Sequence, residues 1–484
     1  MTFHELISKK FKKSNTLNDY LSVKKGFLYY KEIKLMSLVE KFKTPLEVAY
    51  TDMINEKVSS LKKIFSTAIK KNNYGSKYIY AYATKANYYS EAVTTALNYA
   101  DAIETSSSYD LDIVENLYKR KIITNKTMVI CNGFKHDRYF KQITRLKKKG
   151  LNIFPVLENL EEVDLFIEKT KLKFNVGIRI NIDEEKITTF ETGERIGSEV
   201  ESRFGLSFQE VIDSAKKIKE SKHLQFTMLH FHLGGTITNI NKFVSFTGNI
   251  YKNNFIKLQK ENSKLAYFDF GGGLPTQYSL DFNFDYELFA NKLIKKIKSI
   301  STAQKVNPPI LIGEHGRYTV NDHGFSLFKI DIVKKTKQPN TFWYLINSSL
   351  MNFLPDSWAL GQDFIVLPLS GWDKTYSKVK LGGITCDPDD TYYKNEKDNY
   401  IYLPKKEKDE ELYIGIFGTG SYQEMISGVG GVHHCLTPEG TELIIHKKKN
   451  KLFFNKITKL QTPEKVLKIL DYHRHHNLKK YKKL

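Results

Sequence analysis

Residues 81–87 read A-Y-A-T-K-A-N and directly follow the apolar residues Tyr78, Ile79 and Tyr80. This pattern predicts a buried strand that ends just before Lys85. A lone lysine in that position is well placed to be an amine held in a cleft, where desolvation lowers its pKa. A neutral amine can condense with an aldehyde to form a Schiff base. The alternative interpretation is a solvated surface lysine at a strand end.

The composition is that of a globular protein with a large core. The chain has 484 residues, of which 41% are hydrophobic and 27% are charged, and this length suggests two to four domains, or fewer if one is a barrel. The first 15 residues contain four lysines and no apolar segment of a secretory signal. No apolar run approaches the roughly 20 residues of a membrane helix. With three cysteines, a disulfide framework is not expected, so we predict a reduced, cytoplasmic setting without membrane attachment.

The formal net charge of +21 raises the question of nucleic-acid binding. The basic residues form short scattered runs and are mostly lysines, whereas arginine is preferred for bidentate phosphate and guanine contacts. We interpret the excess as solvated surface and predict no nucleic-acid partner. A nucleic-acid-binding protein remains the rival hypothesis from a different class, and strong salt-dependent affinity for DNA or RNA would support it.

A strand–helix alternation begins near residue 78. Eight strand-like runs occupy residues 78–83, 102–104, 127–131, 153–157, 175–180, 226–232, 265–270 and 309–313. Amphipathic segments lie between most of them, and parallel neighbours need such long crossovers. Eight units over roughly 250 residues favour a TIM (β/α)8 barrel within an α/β protein.

After Gly324 the strand-like segments follow one another without long helices. Short strands divided by polar turns predict an antiparallel β-barrel or sandwich domain. We therefore expect a barrel at residues 45–324 and a β domain at 325–460. Residues 1–44 are expected to join the β domain, and residues 461–484 to form a C-terminal helix and a basic tail.

Polar residues follow the ends of the eight predicted barrel strands, on the rim where such barrels build their active sites. They are, in order, Lys85, Ser106 and Ser107, Asn132, Glu158, Asn181, residues 232–235, residues 271–273 and residues 314–317. Three consecutive glycines let backbone N–H groups approach an anion, and Arg317 can bind two phosphate oxygens. A plain tight turn is the alternative for the glycines. Their shared position on one rim favours a phosphate site.

Two clusters in the β domain could carry chemistry. Residues 382–390 place Cys386 beside three carboxylates at a strand end. An exposed acidic turn is the alternative, and no second sulfur or close histidine completes a metal set, so we predict no metal. Residues 418–424 suggest a glycine turn that opens a helix, where Tyr422 could present its hydroxyl to a phosphate. A capped helix start is the alternative.

Together these residues resemble the fold-type III, pyridoxal-phosphate-dependent amino-acid decarboxylases. The resemblance runs from about residue 78 to residue 438 and rests on the motifs Y-A-T-K-A-N (82–87), H-F-H-L-G (230–234), G-G-G (271–273), E-H-G-R (314–317), T-C-D (385–387) and S-Y (421–422). Further motifs are closer to the biosynthetic arginine decarboxylases. They are I-C-N-G-F-K (130–135), L-P-D-S-W (354–358), I-T-C-D-P-D (384–389) and Y-Q-E (422–424).

The resemblance implies a pyridoxal 5'-phosphate cofactor linked to Lys85. It implies that His232 stacks on the pyridine ring and that Glu314 keeps the ring nitrogen protonated. The residues implied to bind the phosphate are Gly271, Gly272, Gly273, Gly316, Arg317 and Tyr422. Gly235 stands where relatives usually carry a serine that contacts the phosphate, so Thr236 or backbone N–H groups are expected to substitute.

The resemblance further implies that Cys386 reprotonates the substrate α-carbon and that sites are completed across a homodimer or higher oligomer. Asp387 and Asp389 would bind the distal cation of a basic amino acid. A guanidinium suits forked carboxylates, which favours arginine decarboxylation to agmatine in polyamine biosynthesis. Diaminopimelate would need a basic partner near these acids, and residues 385–390 supply only negative charge. Ornithine and diaminopimelate decarboxylases, and a non-catalytic regulatory relative, remain alternatives.

Overall fold

The computed structural model describes residues 1–182, 202–392 and 400–472. These residues form two compact units. The barrel unit comprises the described residues of 52–276 and 283–320, and the sheet unit comprises those of 1–51, 277–282 and 321–484. Residues 473–484 of the expected basic tail lie outside the described residues. Within the described ranges, none of the helices combines the length and apolarity needed to cross a membrane.

The N-terminal part of the sheet unit contains helix α1 (Phe3–Phe11), strands β1 (Leu21–Lys24), β2 (Phe27–Tyr30) and β3 (Ile33–Lys34), helix α2 (Leu35–Phe42) and strand β4 (Leu46–Tyr50). Strands β1 to β3 form a small antiparallel sheet. Strand β4 pairs with residues 324–327 of a later strand. Residues 45–51 therefore belong to the sheet unit, and the predicted start of the barrel at residue 45 is wrong. Buried and half-buried residues alternate along β4, as is typical of a strand with one face on a core. The residues 324–327 with which it pairs lie almost 280 positions away in sequence.

The barrel is closed by eight parallel strands. They are β5 (Tyr78–Ala83), β6 (Ala102–Thr105), β7 (Met128–Cys131), β8 (Asn152–Leu157), β9 (Phe174–Arg179), β10 (Leu224–His230), β11 (Tyr267–Asp269) and β12 (Ile310–His315). The predicted TIM barrel is thus confirmed. Alternate strand residues fill its interior, because successive side chains point to opposite faces of a strand. The interior cluster consists of Ala81, Ala102, Met128, Ile130, Phe154, Val156, Met228 and Ile312.

The helices of the barrel unit are α3 (Asp52–Lys71), α4 (Ser90–Ala96), α5 (Ser108–Lys119), α6 (Asp137–Lys148), α7 (Leu160–Lys169), α8 (Phe208–Glu220), α9 (Ile240–Ile250), α10 (Ile256–Glu261), α11 (Tyr286–Ala303) and α12 (Arg317–Val320). Five begin after a side chain that accepts a hydrogen bond from a backbone N–H of the first turn, namely Ser107, Asn159, Ser207, Asn239 and Asp285. Such caps fix where a helix begins after a loop.

The rest of the sheet unit contains strands β13 (Gly324–Lys335) and β14 (Thr341–Ile346), helices α13 (Leu350–Phe353) and α14 (Pro355–Leu360), strands β15 (Ile365–Pro368), β16 (Tyr376–Gly382), β17 (Ile401–Pro404) and β18 (Tyr413–Phe417), helix α15 (Gln423–Ser427), strands β19 (Thr441–Lys448) and β20 (Lys451–Thr458), and helix α16 (Pro463–Ile469). The larger sheet has the order β17-β16-β14-β13-β4-β19-β20, with β18 paired to β13 and β15.

Most pairs in this larger sheet are antiparallel, as predicted, but two are parallel. Strand β14 runs parallel to β16, and β4 runs parallel to β19. Two helices and a strand connect β14 to β16, which is long enough for the chain to return in the same direction. The sheet is therefore mixed.

Candidate active site

Lys85 lies at the carboxyl end of β5, in the short helical turn Thr84–Ala86. Its Nζ lies 3.8 Å from Oε2 of Glu104, whose side chain is fully buried, while the lysine side chain is 44% exposed. The predicted position at a strand end is thus observed, but the lysine is less buried than the desolvated amine predicted from the sequence. The buried Oε2 of Glu104 has no hydrogen-bond partner in the described residues. The amine at 3.8 Å is therefore the positive charge placed to balance it.

Asn132 connects two buried carboxyl groups across the barrel. Its Nδ2 donates to Oε1 of Glu104 at 3.0 Å and to Oε1 of Glu314 at 2.8 Å. Ser106 Oγ also donates to Glu104 Oε1, at 2.9 Å. Lys85, Glu104, Asn132 and Glu314 thus form one continuous group on the rim formed by the carboxyl ends of the strands.

A third buried acid, Asp269, lies beside Glu314. Nδ1 of His230 lies 3.3 Å from Asp269 Oδ2 and 3.9 Å from Glu314 Oε1. Burial raises the pKa of Asp269 to about 7. Burial, followed by repulsion from Asp269, raises the pKa of Glu314 well above its usual range, and burial lowers the pKa of His230. Asp269 Oδ2 and His230 Nδ1 have no hydrogen-bond partner in the described residues. This pocket therefore favours a cationic or proton-bearing guest.

His232 follows β10 and faces the glycine-rich loop. The Gly272 N–H donates to His232 Nδ1 at 3.2 Å, so the other ring nitrogen carries the proton of the neutral imidazole. Burial, followed by the charge of Lys85, lowers the pKa of His232 well below its usual range. A neutral ring is suited to stacking on a flat aromatic guest.

Two of the predicted phosphate-binding glycines leave no room for a side chain. A Cβ on Gly271 would lie 2.7 Å from the carbonyl oxygen of Phe231, and the φ of +66° favours glycine. A Cβ on Gly272 would lie 2.9 Å from the carbonyl oxygen of Glu314. Gly273 O accepts from the Ile237 N–H at 3.0 Å, which ties this loop to the one after β10.

The other predicted phosphate residues of the barrel unit lie in the loops after β10 and β12. Gly235 and Thr236 precede Ile237, and the space beside the Gly235 Cα is open. Gly316 packs closely against the loop after β5, since a Cβ on Gly316 would lie 2.8 Å from the Cβ of Ala86, the residue after Lys85. Arg317 is the first residue of α12. The barrel thus brings the loops after β5, β10, β11 and β12 to one rim.

Several residues of this site were given no role by the sequence analysis. Glu104 and Asp269 lie within runs read as strands, His230 appeared only as part of a motif, and Asn132 was placed on the rim without a chemical role. The available signal was an acidic residue at the carboxyl end of an otherwise apolar strand, where burial is costly without a partner. Arg179 and Glu158, also on this rim, pair at 3.0 Å.

The predicted substrate residues lie in the sheet unit, on the loop after β16. Cys386 and Asp389 are exposed and Asp387 is half-buried. The third acid, Asp390, is buried and accepts hydrogen bonds from Ser349 Oγ, the Met351 N–H and Thr385 Oγ1. Asp390 therefore holds the loop in place.

A second segment of the sheet unit contacts this loop. Cys386 Sγ lies 3.6 Å from Cys435 Sγ, and His434 Nε2 lies 3.3 Å from Asp387 Oδ2. From residues 382–390 alone we expected no second sulfur and no close histidine here, and that expectation is wrong. The pattern of these residues could not show either group, since residues 434 and 435 are nearly 50 positions away in sequence. Their proximity arises only from the fold of the unit.

Tyr422 precedes helix α15, as predicted, and has a φ of +68°. This backbone conformation is rare for a residue with a side chain and often marks a functional position. Its neighbours are fixed, since Ser421 Oγ donates to Asn321 Oδ1 at 2.9 Å and Gln423 Nε2 donates to Asp356 Oδ2 at 3.1 Å. The turn holds the tyrosine in one backbone geometry.

The comparisons with known proteins identify the family. The sequence model described as "Pyridoxal-dependent decarboxylase, pyridoxal binding domain" matches residues 52–321, which is more than half of the chain. The chain belongs to the pyridoxal-dependent decarboxylases. The resemblance stated from the motifs is thus confirmed, together with the cofactor, pyridoxal phosphate.

Relatives of this pyridoxal-dependent decarboxylase include biosynthetic arginine decarboxylases. That of Prochlorococcus marinus (strain MIT 9515) is 23% identical, covering 91% of this chain and 85% of the relative. That of Trichlorobacter lovleyi is 25% identical, and the match covers 91% of this chain and 86% of the relative. Among solved structures, the biosynthetic arginine decarboxylase SpeA of Campylobacter jejuni has a TM-score of 0.80 at 22% identity, covering 98% of this chain and 91% of that one. The diaminopimelate decarboxylase of M. jannaschii has a TM-score of 0.76 at 21% identity, covering 93% and 98%. These structures share the fold.

The residues of this decarboxylase fit pyridoxal phosphate. A protonated ring nitrogen is the kind of guest that Glu314 and Asp269 favour, since both carboxyl groups are buried and Asp269 Oδ2 lacks a partner in the described residues. The backbone of Gly271 and Gly272 lies where no side chain fits, and such backbone can approach a phosphate. Among the described residues, His230, Asp269 and Glu314 form the one group whose atoms are spaced to hold a metal ion, and the same group suits the ring nitrogen.

In the protein without cofactor, Asp269 and Glu314 should contribute a loss of stability as the pH rises. The pKa of Asp269 is raised to about 7 and that of Glu314 is also raised, whereas carboxyl groups of an unfolded chain titrate near ~4. From about pH 4 to about pH 7 the folded state therefore binds more protons than the unfolded state, so the free energy of unfolding falls as the pH rises. Urea unfolding of apoprotein across this range measures the fall.

Glu314→Gln should reduce that fall, and bound cofactor should also reduce it, because a cation stabilises the ionised carboxylates. Glu220→Gln, at the exposed end of α8, is the matched control and should leave the fall unchanged. An identical pH dependence in apoprotein, Glu314→Gln and holoprotein would contradict this electrostatic account.

Proposed function

We propose that this decarboxylase converts L-arginine to agmatine and carbon dioxide, a step of polyamine biosynthesis. The observation that carries the proposal is the loop after β16, where Asp387 and Asp389 follow Cys386 and Asp389 is exposed. A guanidinium is planar and permanently charged, and paired carboxylates bind it best. The relatives named as biosynthetic arginine decarboxylases support this choice, since they align over nine-tenths of the chain.

In the proposed mechanism, Lys85 Nζ would hold the cofactor covalently, and Glu104 would balance the positive charge of the Lys85 nitrogen. Glu314 would hold the proton on the ring nitrogen. The Glu314 carboxyl group is itself fixed by the hydrogen bond from Asn132 and lies beside His230. Pyridoxal phosphate bound here with a protonated ring would supply a sink for the electron pair that departing carbon dioxide leaves on the α-carbon. The barrel residues therefore make the carbon–carboxyl bond easier to break.

The proposed positioning residues hold the cofactor at its face and at its phosphate. His232, kept neutral by its surroundings, stacks on the ring. The proposed phosphate ligands are Gly235, Thr236, Gly271, Gly272, Gly273, Gly316, Arg317 and Tyr422. Oriented backbone N–H groups and a guanidinium bind phosphate oxygens with charge-assisted hydrogen bonds.

Cys386 is the proposed proton donor to the α-carbon after decarboxylation. The hydrogen bond with Cys435 and the proximity of that second thiol raise the pKa of Cys386, which keeps its thiol protonated at neutral pH. A protonated thiol is the form that a general acid requires.

Asp389→Asn should raise the KM for arginine, because it removes a carboxylate that accepts from the guanidinium. The expected loss in kcat/KM corresponds to about 1.5–3 kcal/mol for a hydrogen bond to a charged group. Steady-state kinetics with arginine measure the effect. Asp373→Asn changes another exposed carboxylate of the sheet unit and should leave KM unchanged. An unchanged KM in Asp389→Asn would remove this residue from substrate recognition.

Diaminopimelate is a second candidate substrate, favoured by one specific contact. His434 lies 3.3 Å from Asp387, so a basic group is available for the distal carboxylate that diaminopimelate carries. If diaminopimelate is the substrate, His434→Gln should weaken its binding more than that of arginine. Equal effects on both would leave arginine as the better assignment.

We also propose that the active enzyme is a homodimer or higher oligomer with shared sites, in which Cys386 serves the partner's Lys85. Lys85→Ala and Cys386→Ala proteins should each lose most activity, and mixing them should restore part of it, because a mixed dimer has one site with both residues intact. Activity after verified subunit exchange is the measurement. No recovery would show that each site is built from one chain.

The three free cysteines support our inference of a cytoplasmic location.

A further inference from the structure

A lysine-lined groove lies at the amino-terminal ends of β9 and β10, at the end of the barrel opposite the cofactor residues. Its volume is about 760 Å³, within the ~300–1,000 Å³ typical of ligand sites. Buried Phe174, Leu224 and Phe226 contribute to its apolar lining. Six lysines line it, namely Lys147, Lys173, Lys216, Lys219, Lys222 and Lys264.

The ratio of basic to acidic residues that line this groove is higher than the ratio in the whole chain. Six lysines and His223 line the groove against one carboxylate, that of Glu261, whereas the whole chain has 75 basic and 54 acidic residues. Lys216 pairs with Asp213 at 3.6 Å, and the other five lysines form no ion pair with any described residue. Burial lowers the pKa of Lys147. The groove therefore holds like charges together with little internal compensation.

Helix ends account for only part of this cluster. Lys147 and Lys219 lie in the last turns of α6 and α8, where cations are favourable. Lys173, Lys222 and Lys264 lie in connecting segments, outside the last turns of the helices.

We propose that this groove binds the phosphate chain of a small polyphosphate-bearing molecule, such as inorganic tripolyphosphate or a nucleoside triphosphate. Lysine is a common phosphate ligand as a point charge, and several lysines along a groove match several linked phosphates. Phe174 and Phe226 are each only 2% exposed, so they offer no open ring on which a base can stack. Single-stranded nucleic acid, which relies on such stacking, is therefore the less suitable ligand.

The test is calorimetric titration of holoenzyme, whose cofactor phosphate site is already filled, with tripolyphosphate, ATP and AMP. Saturable binding of tripolyphosphate or ATP, with AMP much weaker, is expected. The triple variant Lys173→Gln, Lys222→Gln, Lys264→Gln should bind about tenfold more weakly or worse. The matched control Lys70→Gln, Lys71→Gln, Lys126→Gln changes three exposed lysines of the same unit and should bind like wild type.

The relative affinities of tripolyphosphate and ATP show whether the ligand is an inorganic polyphosphate or a nucleoside triphosphate. Tight binding of either supports the proposal. Equal weakening in both triple variants would overturn it, because net charge alone would then explain binding. Absence of saturable binding, or tighter binding of single-stranded RNA than of tripolyphosphate, would also overturn it.

A second inference rests on the two exposed thiols of the sheet unit. Cys386 Sγ and Cys435 Sγ are 3.6 Å apart, and a disulfide needs a separation of about 2.05 Å. A movement of roughly 1.5 Å is small for the side chains of two loops. Cys435 lies in the short turn His434–Leu436, and the other cysteine, Cys131, is buried on β7.

We infer that Cys386 and Cys435 form a reversible disulfide that stops the reaction, which rests on the proposed role of Cys386 as proton donor. The Cys435 thiolate attacks a low-molecular-mass disulfide and releases one thiol. The Cys386 thiolate then attacks this mixed disulfide and releases the second thiol. The two cysteines lose two protons and two electrons, and the small disulfide gains them.

The test is treatment of holoenzyme with oxidised glutathione, followed by intact mass, peptide mapping and activity before and after reduction. Wild type should lose two hydrogens, show a Cys386–Cys435 cross-linked peptide, lose activity and recover it with dithiothreitol. Cys435→Ser, treated in the same way, should form no such cross-link.

The outcomes separate this inference from the proposed function. No cross-link in an active wild-type enzyme, or a cross-link that leaves activity unchanged, would overturn the inference. An inactive reduced wild-type protein that still forms the cross-link would overturn the proposed function and, with it, the regulatory meaning of the disulfide.

Discussion

The Lys85→Ala variant should lose all covalent attachment of pyridoxal phosphate and at least about 10³-fold in decarboxylation rate. The Lys85 amine lies at the strand end beside Glu104 and is 44% exposed, so it is open to an aldehyde. The nearby Lys135 is buried, donates to the Gly133 carbonyl at 2.6 Å and pairs with Glu162 at 3.5 Å. Its amine is engaged within the protein and cannot substitute.

Borohydride reduction followed by peptide mass mapping measures the attachment. Wild type should carry the reduced cofactor on the peptide that contains Lys85, and Lys77→Ala, which changes an exposed lysine just before β5, should do the same. Covalent trapping in Lys85→Ala would show that another lysine holds the cofactor.

The Glu314→Gln variant should lose about 10²- to 10³-fold in kcat while still binding cofactor. A neutral amide can accept the hydrogen bond from Asn132 that Glu314 Oε1 accepts at 2.8 Å, so the rim should keep its structure. It cannot supply the negative charge that holds a proton on the ring nitrogen. The loss matches the size of a general acid–base contribution.

The measurement is kcat at saturating substrate, with the absorption spectrum of bound cofactor as the binding control. Glu220→Gln should behave like wild type. A kcat within twofold of wild type in Glu314→Gln would show that Asp269, its buried neighbour, holds the proton instead, and Asp269→Asn would then show the large loss.

The barrel could be predicted from the sequence because its strands are apolar and its helices are amphipathic. Strand β5 was predicted with the bounds that the structure shows, Tyr78–Ala83. The rim followed from the rule that parallel strands end on the same side. The place of Lys85 therefore needed no long-range information.

Long-range pairing could not be predicted in the same way. Strand β4 looks like any short alternating strand, and its partners β13 and β19 lie hundreds of residues away. Neither composition nor periodicity specifies which strands meet, so the predicted start of the barrel was wrong.

The residues of the candidate site likewise include some that local sequence could predict and some that only the folded chain brings together. Lys85, His232 and Glu314 lie in recognisable motifs at strand ends. Asp269 was missed because it lies inside a run that reads as a strand, although its burial changes its pKa to about 7. His434 and Cys435 were missed because only the folded sheet unit brings them to Asp387 and Cys386.

Carbon dioxide release from arginine, ornithine, lysine and diaminopimelate, measured in parallel with pyridoxal phosphate present, identifies the substrate. We expect the highest kcat/KM for arginine, one agmatine for each carbon dioxide, and no release by Lys85→Ala. A higher kcat/KM for diaminopimelate or ornithine would contradict the assignment of arginine, and no release from any of the four would contradict decarboxylation of a basic amino acid.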